Sequence, residues 1–107
     1  MRYLFNSKGQ HVANSLNQRL YAPNGKNIGH YLEKEKVFID LKGHYLGELV
    51  QENRLLYNAA AAIKNSSLGL YGDYGSIGNY GDPGNYGRIG LAAGFQDVSA
   101  PWLASKI

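Results

Sequence analysis

The sequence predicts an all-β protein: an antiparallel meander of short repeated hairpins, then a short helix and an extended, polyproline II-like glycine-rich segment. Two observations carry that class. Gly9, Gly25 and Gly43 recur 16 and 18 residues apart with matching neighbours, and eight glycines fall at every third position from Gly69 to Gly90.

The hairpins come first. The segments 5–13, 21–29 and 39–47 share one pattern: a large apolar residue (Phe5, Tyr21, Ile39), the glycine four places on, an aliphatic (Val12, Ile28, Leu46), then a small residue (Ala13, Gly29, Gly47). Another aliphatic follows at Leu16, Leu32 and Val50. Each unit fits a strand, a tight turn with a left-handed glycine and a returning strand. Asn24-Gly25 is the clearest hairpin signal. Second turns are expected near Asn17-Gln18, Lys34-Glu35 and Glu52-Asn53. Closing strands are Leu20-Tyr21, Val37-Phe38-Ile39 and Leu55-Leu56-Tyr57. Met1–Phe5 reads as the closing strand of a fourth unit whose returning half must come from elsewhere, the C-terminal third being the candidate.

Gly9-Gln10-His11-Val12-Ala13, Gly25-Lys26-Asn27-Ile28-Gly29 and Gly43-His44-Tyr45-Leu46-Gly47 resemble the small bacterial and phage four-fold beta-flower proteins over residues 1–57. That resemblance implies strand–turn–strand units around a pseudo-symmetric axis and brings no activity with it. The longer YD-type and KWG-type β-repeats share much of the pattern.

Three segments follow: a hairpin-repeat domain over 1–57, a helix and connector over 58–68, and the glycine segment with its tail over 69–107. Asn58 before Ala59-Ala60-Ala61-Ala62-Ile63-Lys64 reads as an Asn-capped helix of at most two turns. In the run, position one is glycine, position two is polar in six of seven triplets, and position three is Tyr71, Tyr74, Ile77, Tyr80, Pro83, Tyr86 or Ile89. Three residues per turn is the period of polyproline II, in which the positions become three faces. The bare face invites close approach of another backbone, on its own domain or on sister chains. Gly72, Gly75, Gly78, Gly81, Gly84 and Gly87, with Tyr74, Tyr80 and Tyr86, are therefore the expected assembly residues. A lone collagen-type trimer and a flexible linker are the competing readings. Pro83 is the single proline of the run, against the first, and the sorting of residue types argues against the second. The run resembles the polyglycine-type helices packed in some antifreeze proteins and phage tail-tip adhesins; one such segment per chain implies assembly across chains. In the tail, Ser99-Ala100-Pro101-Trp102 opens a last helical turn, with Trp102 as its anchor.

Composition narrows the function. Cysteine is absent, so disulfides and Cys-based zinc sites are excluded. There is no apolar run long enough for a signal peptide or a membrane span. A cytoplasmic protein, or a phage-derived one released by lysis, is expected. His11, His30 and His44 sit at different offsets from their glycines, so no metal site and no cofactor is expected. No P-loop, no Gly-x-Gly fingerprint and no nucleophile constellation occurs, so the chain reads as non-enzymatic. Residues 1–66 hold nine Lys/Arg against five Asp/Glu, within a net charge of +3. That balance makes nucleic acid an unlikely partner. The leading reading is a homo-oligomerising structural module, three copies favoured. The alternative is a binder of a small anionic ligand such as a nucleotide, using Lys8, Lys26 and Lys42 at the hairpin tips with Tyr45.

Overall fold

A computed structural model describes residues 1–61, 68–78 and 80–105. The chain is mostly β with one short helix. Seven strands follow in order: β1 (Arg2–Phe5), β2 (His11–Leu16), β3 (Arg19–Tyr21), β4 (Asn27–Leu32), β5 (Val37–Asp40), β6 (Tyr45–Val50) and β7 (Arg54–Asn58). Then come β8 (Phe95–Asp97) and α1 (Ala100–Ala104). Each of the first seven strands pairs antiparallel with the next. β1 meets β7 in parallel, through Phe5 opposite Arg54. An odd number of alternating strands leaves the first and last pointing the same way, so this closure has to be parallel.

Side chains alternate across a strand, so one face of each strand reaches the barrel interior. Leu4, Val12, Leu20, Ile28, Phe38, Leu46 and Leu55 supply one large apolar residue from each of β1 to β7, all fully buried in one cluster. Burying each stabilises by about 1.5–3 kcal/mol. Leu103 of α1 and Val98 complete that cluster. Ser99 caps α1, its Oγ accepting from Trp102 N–H at 3.1 Å, and Pro101 sits in the first turn.

The two ends of the barrel differ. At one end the turns are held by residues other than glycine: Asn17, Gln18, Gln51 and Glu52 all have positive φ. Such residue pairs give the two-residue turn whose twist suits a hairpin. At the other end stand the tips at Gly9, Gly25 and Gly43, with φ of 85°, 92° and 85°. All three tips carry the same bonds. Gly9, Gly25 and Gly43 N–H donate to the carbonyls of Asn6, Ala22 and Asp40. Asn6, Ala22 and Asp40 N–H donate in turn to Gln10, Lys26 and His44. Each tip also has a register shift just before it, at Leu4/Phe5, Leu20/Tyr21 and Phe38/Ile39.

Beyond Phe5 and Arg54 the first and seventh strands part, and β8 fills the opening. β8 pairs with β7, Leu56 opposite Asp97 and Asn58 opposite Phe95. Across the gap, the Asp97 carboxylate accepts from Ser7 N–H and Ser7 Oγ–H, each at 2.7 Å. Arg54 Nη1 donates to Asn6 O at 3.0 Å. The C-terminal segment is thus part of the barrel wall.

Two expectations change. Asn58 ends β7 and its Oδ1 accepts from Ala60 N–H at 3.0 Å, so residues 58–61 are strand end and turn rather than helix; residues 62–64 of the helix expected there lie outside the described residues. The glycine run is not a regular polyproline II helix. That helix needs φ near −75° at each residue, whereas Gly69, Gly75, Gly78, Gly81 and Gly84 have φ between 76° and 102°. Among the described residues no helix is long and apolar enough to cross a membrane.

The seam gives a direct test. Asp97→Ala removes two charge-assisted bonds and is expected to destabilise by about 2 kcal/mol. Asp82→Ala, which among the described residues loses the local bond to Gly84 N–H, should change little. Urea unfolding of the two variants makes the comparison.

Candidate functional site

The glycine run lies across the three hairpin tips in reverse order. Leu68, Ile77 and Tyr86 N–H donate to the carbonyls of Gly43, Gly25 and Gly9, at 2.9, 2.9 and 2.8 Å. These donors are nine residues apart, so three triplets separate one tip contact from the next. Tyr71 and Ile89 N–H add bonds to Leu41 O and Ser7 O, each two places before its tip glycine. At the middle tip, Asn27 N–H donates to Gly75 O and its Oδ1 accepts from Tyr74 N–H at 3.0 Å. The run is a strap bound by its backbone to backbone at the tips.

Bare backbone is needed on the opposite side from the one expected. A Cβ placed on Gly9, Gly25 or Gly43 would collide with the strap carbonyls of Tyr86, Gly78 and Gly69. The run glycines Gly72, Gly75, Gly78, Gly81, Gly84 and Gly87 have none of the described residues within 4 Å of a Cβ position. Gly75, Gly78, Gly81 and Gly84 are instead required by their positive φ. Gly72 and Gly87 answer to neither demand within the chain.

Tyrosines of the strap are partly used within the chain. The Arg19 guanidinium lies 3.6 Å over the Tyr74 ring, and His30 meets the same ring edge-on at 5.4 Å. His30 Nε2 is also 3.1 Å from Gly72 O. Tyr86 stacks on Phe5 at 4.9 Å, with Arg54 5.1 Å from its ring. Tyr3 Oη–H donates to Tyr80 O at 2.9 Å. His44 pairs with Asp40 at 3.4 Å and His11 Nε2 is 2.6 Å from Asn14 Oδ1, so the three histidines are dispersed.

Of the four residues expected to bind a ligand, one lines a cleft. Lys8, Lys26 and Lys42 are all exposed at their tips. Lys8 borders an opening of about 480 Å³ at the seam, with Gln10, Tyr57, Gln96, Asp97 and Trp102. Lys26 and Lys42 do not line it. Gln10 and Ser99 also border a second opening of about 650 Å³, edged by His11, Asn24 and the strap residues Asp82 and Asn85. Tyr45 is 4% exposed and packs on Tyr57, so it offers no face to a ligand. Sequence reasoning missed Tyr57, Gln96 and Gln10, because β8 brings them together from distant positions. The sequence leaves the partner of Met1–Phe5 open, with the C-terminal third as the candidate source; β8 does come from there, but it pairs with β7 and not with β1. No family model, curated protein or solved structure matches the chain.

Tyr45 has a structural use. Its hydroxyl donates to Glu48 Oε2 at 2.8 Å and accepts from Asn58 N–H at 3.0 Å. Burial, with the Glu48 carboxylate adding to it, pushes the phenol well above the tyrosine range, against the Asn58 N–H that favours phenolate. The unfolded chain therefore loses this proton first as pH rises. Stability is expected to fall above about pH 10, and Tyr45→Phe should remove that part of the slope in alkaline unfolding curves.

The glycines separate by substitution. Gly25→Ala meets both a backbone clash and φ of 92° and should abolish docking of the strap. Gly81→Ala meets open space at φ of 87° and should cost about 1–2 kcal/mol. Gly87→Ala should leave docking of the strap on its own tips unchanged. Hydrogen exchange at Tyr86 and Ile77 N–H, with thermal unfolding, reads the series.

Proposed function

We propose that the chain is a non-enzymatic, self-assembling interaction module whose strap forms the surface between copies. One observation carries this reading. The described residues include six large hydrophobic side chains that are exposed, and five of them lie on or beside the strap: Leu70 at 86%, Tyr74 and Tyr86 at 56%, Tyr80 and Leu91 at 46%. Apolar surface gathered on one segment marks an interaction site. Gly72 and Gly87 support it, since each leaves open space at its Cβ position, where a second backbone could approach, and neither has positive φ.

The architecture behind that surface is a pseudo-symmetric hairpin repeat of the beta-flower kind. Its fourth hairpin is β7 with β8, and its tip has been drawn out into the strap. The three matching tips, and the antiparallel pairing of Leu56–Asn58 with Phe95–Asp97, support this reading. A closed, symmetric homo-oligomer of two or three copies covers the strap on every subunit.

Sedimentation velocity and native mass spectrometry at micromolar concentration should return one closed oligomer. The double variant Leu70→Glu, Tyr80→Glu should shift it to monomer with an unchanged circular dichroism spectrum. A wild-type protein that is monomeric throughout would sink the proposal.

A further inference from the structure

We propose that the seam cleft is a binding site for a small anion that carries a ring, of the sugar phosphate, nucleotide or aromatic carboxylate kind. This inference is independent of assembly and rests on the groups the cleft leaves unused.

The cleft has an aromatic wall and an excess of donors. Tyr57 and Trp102 meet edge to face at 5.9 Å, and both are half-buried, so ring surface faces the opening of about 480 Å³. An apolar wall with a few polar groups at its rim is the usual form of a small-molecule site. The Lys8 ammonium makes no bond to another described residue. Gln10 Oε1 already accepts from Asn6 Nδ2 at 2.9 Å, and its amide hydrogens have no partner among the described residues. Gln96 is exposed and its side-chain amide has no partner among the described residues. The one acid of the cleft, Asp97, has both oxygens bound by Ser7 at 2.7 Å and turned to the first tip. What remains available is one cation and two amides, beside an aromatic surface. That set matches an anionic oxygen attached to a ring, because charge-assisted bonds to an anion are the strong ones. Among the described residues, neither of the other two tip lysines lines a cleft of this kind. Only at the first tip do β8 and α1 bring Tyr57, Gln96 and Trp102 beside the tip lysine.

Trp102 is the only tryptophan, so its fluorescence reports on the cleft directly. The wild-type chain is titrated with AMP, ribose phosphate and benzoate, and with adenosine and ribose as uncharged counterparts. Saturable change is expected with at least one of the three anions. Its uncharged counterpart, where there is one, should bind at least about tenfold more weakly. Lys8→Glu should weaken the anion at least about tenfold, while Lys34→Glu, the same charge change in the turn at the far end of the barrel, should stay within about two-fold. The proposal is overturned if no anion gives a saturable response, if the uncharged counterpart binds as tightly, or if Lys8→Glu and Lys34→Glu act alike. Circular dichroism of both variants establishes that they fold.

Discussion

Seven antiparallel strands cannot close on themselves without one parallel pair, and the rest of this structure depends on how that pair is handled. Phe5 and Arg54 make the only registered contact between β1 and β7. A single pair leaves backbone groups of both strands unpaired beyond it, and a buried unpaired group is unfavourable by about 1–3 kcal/mol. The chain resolves this with β8, which pairs with β7, and with Asp97, which takes Ser7 N–H from the β1 side. β8 comes from residues 95–97, so the chain must travel from Asn58 and back to supply it. That excursion is the strap.

The strap exploits an arithmetic match. Three tips present equivalent carbonyls at Gly9, Gly25 and Gly43, and the strap answers with donors nine residues apart. A period of three keeps these donors in phase with the tips, although the strap's conformation varies along it: the glycine after the donor has positive φ at Gly69 and Gly78 and not at Gly87. Backbone is a suitable partner here because the approach is too close for a Cβ on the tip glycines. Side chains then fasten it: Arg19 and His30 on Tyr74, Phe5 and Arg54 on Tyr86. Arg54 is 4% exposed and shares its charge between Asn6 O and the Tyr86 ring, so the same residue ties seam and strap together.

Much of the β framework was legible in the sequence, because hairpins announce themselves locally. Tip glycines, the aliphatic three places on and the alternation within each strand are short-range signals, and Leu4, Val12, Leu20 and Ile28 recur every eight residues. The open partner of Met1–Phe5 pointed to the C-terminal third, yet the strand from there, β8, pairs with β7. The glycine run was misread in its geometry for a physical reason. A period of three states that glycine is required, and both a bare face and a positive φ require glycine. Only the backbone distinguishes them, and at Gly75, Gly78, Gly81 and Gly84 it is φ. Tyr45 was misplaced because a tyrosine two residues after a tip looks exposed, whereas its strand turns the ring onto Val37 and Ile39 in a second, smaller cluster.

The candidate site was the least legible part, since it exists only where equivalence between the tips breaks. Each of the three hairpins has a lysine beside its tip glycine, and in sequence nothing ranks one above another. The fold ranks them. Tip two lies between the other two hairpins and tip three between the second hairpin and β7, while tip one stands beside the seam, where β8 and α1 deliver Tyr57, Gln96 and Trp102 next to Lys8. An odd strand count therefore does more than force a parallel contact. It leaves one edge of the barrel to be completed by residues from outside the hairpin pattern, and those residues are free to carry chemistry that the pattern itself does not need.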